Sequence, residues 1–282
     1  MNSGAVIVKA AGQRPPILIV GAHRSGTTAT TRALQLLGLQ IGQHLDSHQE
    51  SRRLQRLHEQ YLHRLGAAWH EPTAFLEWVQ TPQGRQHCSE YLRKNLRREF
   101  AAIFGYRKDP RGLWLLARLK LGKLWGWKEP RTTLFASCWL ELFPEARIIH
   151  VVRHPLAVAM SIRQRELEFR DAGDPPTGKL HELEHCLRLA TTYLEMGETL
   201  TALTNCYHRV HFEDVQANPN KSLTALADFC GLRFTPEQMI RSAASIRPER
   251  SPTWQRLPAE SAQELLSNYP IVAKLGYGGE AR

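Results

Sequence analysis

No stretch of the 282 residues stays apolar long enough to cross a bilayer, and the apolar run Ala5 to Val8 stops at Lys9, short of a signal-peptide core. The sequence therefore reads as soluble and cytoplasmic. Cysteine is sparse: Cys88, Cys138, Cys186, Cys206 and Cys230 are odd in number, scattered, and form no C-x-x-C pair. Neither a disulfide framework nor a zinc site is implied, and a reducing compartment fits best. Acidic residues are outnumbered, 27 against 37 lysines and arginines, which leaves a net charge of +10. That excess favours anionic partners without choosing among nucleotides, acidic glycans and nucleic acid. Nucleic-acid binding would want basic residues interleaved with exposed aromatics or a recognisable module, and neither is present. Linker composition, repeats and low-complexity tracts are missing too. Residues 1–282 are thus expected to form one α/β domain, with 1–15 as a flexible N-terminal segment.

What is present is a strand, a glycine-bounded loop and a helix. The apolar run Ile17 to Val20 leads into Gly21-Ala22-His23-Arg24-Ser25-Gly26-Thr27-Thr28, and a helical pattern continues to Leu37 with Gly38 as its stop. Backbone N–H groups and a helix N-terminus converge on a phosphate at such a junction. The spacing is that of a P-loop, but Thr27 stands where G-x-x-x-x-G-K-S/T needs its lysine. The cation has moved into the loop as Arg24. A Walker lysine and magnesium neutralise a multiply charged terminal phosphate. A sulfuryl group carries one negative charge, so an arginine, hydroxyls and backbone donors suffice for it.

Arg-Ser-Gly-Thr-Thr after a short apolar strand resembles the phosphosulfate loop of the PAPS-dependent sulfotransferases, the bacterial type in particular. The resemblance implies a mostly parallel sheet flanked by helices, with PAPS as co-substrate and His23, Arg24, Ser25, Gly26, Thr27 and Thr28 around it. A second stretch supports it. Ile148 to Val152 reads as a buried parallel strand, Arg153 follows at its end, Pro155 suits the first turn of a helix, and Ser161 lies two turns in. In the family the corresponding arginine and serine bind the nucleotide's 3′-phosphate, where a guanidinium and a hydroxyl make charge-assisted hydrogen bonds. Near the C-terminus Arg250, or else Arg247, is expected to close over that phosphate, as basic C-terminal loops do in the family.

Between the two stretches, Leu39 to Ser47 reads as a loop, and a helical pattern from Glu50 puts Leu54, Leu57, Tyr61, Leu62 and Leu65 on one side, with arginines and His58 on the other. This segment resembles the bacterial sequences in which a glutamate opens the acceptor-side helix, which makes Glu50 the leading catalytic base. His44, His48 and Glu129 are the other candidates near the loop. Leu124 to Trp127 is a strand candidate running into Lys128-Glu129-Pro130-Arg131, and charged residues at a strand's carboxyl end belong to the active edge of a parallel sheet. Lys128 joins Arg24 and Glu50 as a catalytic candidate on that ground and on the family's similar Lys-Asp/Glu-Pro-Arg element. His44 and His48 could share a helix face, but no third ligand has matching spacing, so no metal is expected.

Tyr91 to Phe104 reads as a basic amphipathic helix, Asp171 to Gly178 as a polar loop and possible lid, and Leu180 to Ala202 as a long helix. Tyr207 to Phe212 reads as a strand, and His150 as a core residue rather than a catalyst. The acceptor, a glycan, a lipid-linked saccharide or a small hydroxylated metabolite, is not legible. Two rivals stay open: a P-loop kinase using ATP and magnesium, and a non-catalytic protein binding nucleotide or nucleic acid.

Overall fold

The computed structural model describes residues 14–42, 45–103, 124–247 and 253–277. Nearly all of the expected flexible N-terminal segment, together with His44 and Arg250, lies outside these residues. Five short strands, β1 (Ile17–Val20), β2 (Gln40–Ile41), β3 (Trp125–Lys128), β4 (Arg147–Val152) and β5 (Tyr207–His211), form one sheet in the order β2-β3-β1-β4-β5. Every pairing is parallel, and Ile19 faces Lys128 on one side and Ile149 on the other. From the central β1 the chain passes to the β2 edge, returns through β3 beside β1, and crosses to β4. The order therefore reverses next to the carboxyl end of β1, where ligands bind in open α/β sheets.

The inner strands β1 and β4 are nearly continuous apolar runs because both sheet faces are covered there. Ile17, Ile19, Ile149 and Val151 pack to one side, against α1 (Thr27–Leu36) and α9 (Pro219–Cys230). Leu18, Val20, Trp127 and Ile148 pack to the other, among α2 (Arg52–Arg64), α4 (Pro82–Ile103), α5 (Thr132–Leu142), α6 (Pro155–Asp171) and α7 (Leu183–Thr199). This is the expected layered α/β sandwich. Between α2 and α4 runs the short α3 (Thr73–Gln80), and α8 (Phe212–Ala217) follows β5 directly. Thr235 and Gln238 form a capping box that starts α10 (Pro236–Ala244). Near the C-terminus, α11 (Ala259–Ser267) precedes α12 (Pro270–Lys274), which brings Ile271 and Val272 onto Val152 and Leu194.

Several local expectations change. Residues 40–41 are a strand rather than loop, because Gln40 N–H finds the Leu124 carbonyl at 3.0 Å. The basic helix starts at Pro82, well before Tyr91, and the long helix over 180–202 starts at Leu183 and ends in a 3-10 turn at Leu200–Ala202. His58 is fully buried with Leu54, Leu57, Tyr61 and Leu62 instead of facing solvent with the arginines. At 3.6 residues per turn position 58 lies on the same side as 54, 57, 61 and 62, and a buried partner described below satisfies its ring. The loop after α6 is tied down: the Thr177 N–H donates to buried Glu166 at 2.7 Å, and Arg163 donates to the His181 carbonyl at 2.8 Å.

Candidate active site

The loop after β1 is shaped by close packing. A Cβ on Gly21 would collide with the Val151 carbonyl, and one on Gly26 with the Phe212 ring; both glycines also hold positive φ, 146° and 93°. Thr133 fixes the loop's start, since its hydroxyl accepts from the Gly21 N–H (2.8 Å) and donates to the Gly21 carbonyl (3.1 Å). Arg24 is held in the left-handed region at φ 69°, a conformation uncommon for a residue with a side chain. Its Nε donates to Ser161 Oγ at 2.9 Å, and Arg153 Nη1 donates to the Arg24 carbonyl at 2.8 Å. The two stretches singled out in the sequence, 137 positions apart at Arg24 and Ser161, are thereby one site.

A cavity of about 920 Å³ opens here, lined by His23, Arg24, Gly26, Thr27 and Thr28 of the loop. Ser25 does not line it: the side chain is buried and its hydroxyl donates to the Ala22 carbonyl at 2.8 Å. Ser161 meets the site through Arg24 rather than by lining the cavity. Arg247, the alternative to Arg250, does line it. Among the described residues, six arginines (Arg24, Arg32, Arg131, Arg153, Arg165 and Arg247) and Lys128 border this space. Burial, then the charges of Arg165 and Arg153, lower the pKa of Arg24. Cations crowded in this way favour a multiply charged anion as the occupant.

On the opposite rim, Asp46 builds the turn that positions Glu50. Its Oδ1 accepts the N–H groups of His48 (2.8 Å) and Glu50 (3.0 Å), its Oδ2 accepts from Gln55 (3.2 Å), and Gln49 reverses the chain at φ 63°. Asp46 was missed as a site-building residue; an aspartate opening a short polar run is the signal that could have found it. Glu50 Oε1 receives Lys128 Nζ at 2.6 Å, and Oε2 receives Gln55 at 2.7 Å. Lys128 also donates to Thr28 Oγ1 at 3.0 Å, so a continuous chain runs from the loop helix through the lysine to the carboxylate. Burial lowers the Lys128 pKa, and the nearby Glu50 charge opposes that shift. Glu50 precedes the N-cap Ser51, and its carboxylate goes to side chains rather than to first-turn N–H groups.

The next residue along, Glu129, points the other way. It is fully buried, does not line the cavity, and is bonded by His58 Nδ1 at 2.5 Å and Arg131 Nη1 at 2.6 Å. The indole N–H of Trp139, a donor only, lies 3.1 Å from His58 Nε2. His58 Nε2 therefore accepts from the indole, and Nδ1 donates to the carboxylate. Arg131, and next to it His58, hold Glu129 well below the usual carboxylate range in spite of burial. A carboxylate so enclosed has no route to a substrate proton.

The histidines divide similarly. His23 packs on Trp69 with ring centroids 4.3 Å apart, and burial followed by the Arg131 charge drives its pKa well below the ordinary value. Its buried Nε2 has no hydrogen-bond partner. His48 lines the cavity with its pKa lowered by burial and then by Arg165, while its carbonyl accepts the Thr28 hydroxyl at 3.2 Å. His150 is a core residue as expected, with Nδ1 2.7 Å from Tyr207 Oη. Among the described residues no group of three potential metal ligands is present, and no helix is long and apolar enough to cross a membrane.

Comparison with known proteins bears on the family and the fold. A family model described as "Sulfotransferase family" matches residues 15–236. No curated protein matches the chain. Among solved structures, the sulfotransferase STF9 from Mycobacterium avium is 15% identical with a TM-score of 0.51, over 99% of this chain and 83% of that one. The sulfotransferase domain from the curacin biosynthetic pathway is 17% identical with a TM-score of 0.51, over 94% and 99%. A sulfotransferase from Alicyclobacillus acidocaldarius is 15% identical with a TM-score of 0.50, over 93% and 94%. At such identities these structures speak to the fold.

Proposed function

Because the chain belongs to the sulfotransferase family, we propose that its cavity binds PAPS and that a hydroxyl or amine of a second substrate attacks the sulfur in line. The new O–S or N–S bond forms as the bond from sulfur to the 5′-phosphate oxygen breaks. Adenosine 3′,5′-bisphosphate leaves, and the acceptor's proton passes to Glu50. The observation that carries this reading is the Arg24–Ser161 hydrogen bond at 2.9 Å. It couples a loop suited to the 5′-phosphosulfate to the Arg153–Ser161 element suited to the 3′-phosphate.

In this reading Arg24 and Lys128 meet the negative charge that develops on the bridging oxygen and the transferring group, where preorganised donors act most strongly. Thr28 and the N-terminus of α1 complete the cradle. Arg247 supports the 3′-phosphate side, and Arg250 belongs to the same basic segment. Glu50 suits the base because it lines the cavity and reaches the loop through Lys128 and Thr28. The five cysteines are all free thiols, which fits a place in the reducing cytoplasm.

The test is transfer of label from PAPS, with cell extract as the source of acceptors and mass spectrometry identifying the product. Turnover is expected to persist in EDTA, since Arg24 and Lys128 supply the positive charge. Transfer of label from the γ-phosphate of ATP, abolished by EDTA and restored by magnesium, would favour the kinase instead.

A further inference from the structure

The ladder between β4 and β5 ends at the pair Val152 and His211, and the two chains leave the sheet side by side as Arg153-His154 and Phe212-Glu213. Past that pair the backbone of His154 has lost its strand partner, and Pro155 has no N–H to offer. The N–H of buried His154 is met instead by Glu213 Oε1 at 2.8 Å. Glu213 is held from its other oxygen, because the Tyr277 hydroxyl donates to Oε2 at 2.9 Å. A phenol has one proton to give, so Tyr277 accepts from His211 Nδ1, 3.0 Å away. The His154 ring is closed in as well, stacked on Trp254 and edge-on to Tyr277. Phe212 lies under the Arg153 guanidinium, with Cζ 5.8 Å from the ring centroid, and the same ring backs Gly26.

Resting on the sulfotransferase reading above, we propose that Glu213 is a positioning residue for the donor: it fixes the backbone beside Arg153, so that the guanidinium is already in place for the nucleotide's 3′-phosphate. Glu213 does not line the cavity, and it acts through Arg153 rather than on the ligand. An arginine on an unsupported turn would have to be ordered each time the phosphate bound, and that ordering would be subtracted from affinity. The carboxylate removes this cost by locking the peptide that follows Arg153, and the hydroxyl of Tyr277 locks the carboxylate. Phe212 serves both phosphate loops, since its ring touches Gly26 as well as Arg153. The carboxylate of Glu213 bonds on the Arg153 side alone, so its loss should be felt at the 3′-phosphate and not at the 5′ end.

Calorimetry on the full chain compares adenosine 3′,5′-bisphosphate with AMP in the wild type, Glu213→Ala, Arg153→Ala and the double variant. Glu213→Ala should weaken the bisphosphate by about fivefold or more, a coupling within the range for residues of one hydrogen-bond network, and leave AMP nearly unchanged. In the Arg153→Ala background the same change should cost almost nothing further, because the guanidinium it positions is gone. Glu213→Gln keeps an oxygen for the His154 N–H and should recover most of the affinity. Equal losses for both ligands, no loss for either, or a loss undiminished in the double variant would overturn the positioning role and leave Glu213 a tether of the C-terminal segment. Should Glu213→Ala fail to fold, Tyr277→Phe carries the test, since it keeps the ring packing and removes only the hydroxyl that holds Oε2. It should weaken the bisphosphate by about twofold, the low end of the same range, with AMP unaffected; unchanged bisphosphate affinity there would equally overturn the role. A wild-type chain that bound the bisphosphate no more tightly than AMP would instead overturn the donor reading on which this one rests.

Discussion

Lys128 and Glu129 are consecutive, both are almost completely buried, and each sits in an ion pair at the carboxyl end of β3. Alternation along an extended chain sends their side chains to opposite sides. Lys128 reaches the cavity and meets Glu50 and Thr28; Glu129 enters the core with His58 and Arg131. A pair at a cavity edge can exchange partners with a ligand or with water. An enclosed pair has nothing to exchange with, so it orients the helices around it and contributes no chemistry. Burial and charge alone do not identify a catalytic group; access does.

The largest effect should come from the enclosed side. Glu129→Gln leaves Arg131 short of its buried partner, a kind of change that costs about 3–5 kcal/mol, read as a lower urea midpoint. A variant with normal stability and impaired turnover would break the contrast and move Glu129 into the chemistry. On the cavity side, Glu50→Gln keeps the shape and removes the proton acceptor. The expected result is kcat lower by about a hundredfold or more, PAPS affinity nearly intact, and far less loss of stability than at Glu129. Normal turnover with a lowered melting temperature as the sole defect would return Glu50 to a structural role.

Arg153→Ala sharpens the donor side. Losing one charge-assisted contact is worth about 1.5–3 kcal/mol, so adenosine 3′,5′-bisphosphate should bind at least about tenfold more weakly. AMP, which lacks the 3′-phosphate, should change little. Equal losses for the two ligands would sink the assignment of Arg153.

The smallest effect concerns His154, which stacks on Trp254 at 3.7 Å between centroids and donates its backbone N–H to Glu213 at 2.8 Å. Burial, and after it the Arg153 charge, pushes its pKa down to about 4. The ring is neutral in the folded chain. Between that value and the unfolded one of about 6.5, the unfolded chain binds the extra proton. This contribution to stability is therefore complete above about pH 6.5 and is lost as pH falls toward 4. His154→Phe retains the stack and removes the proton site, so its melting temperature should decline less over that interval than the wild type's. Parallel declines would show that other groups set the acid sensitivity.

Local pattern carried much of this protein. The loop from Gly21 to Thr28 was legible because glycine spacing and a preceding apolar strand constrain neighbouring residues directly, as was the Arg153–Ser161 step because a β-branched strand and Pro155 mark a strand-to-helix junction. Glu50 was marked by the resemblance to bacterial sequences rather than by local pattern, and Lys128 by that resemblance together with its place at a strand's carboxyl end. What tertiary structure alone decided is which groups meet. Arg24 and Ser161 are 137 positions apart, and Lys128 and Glu50 are 78 apart; no local rule fixes such pairs. His58 read as a surface residue because imidazole is polar, and only Glu129 and Trp139, arriving from other elements, make its burial affordable. The opposite fates of Lys128 and Glu129 were likewise hidden, because the sequence shows that neighbouring strand residues diverge but not which face meets the cavity. The sheet order and the helices packed on each side decide that, and they are set by long-range burial of apolar surface.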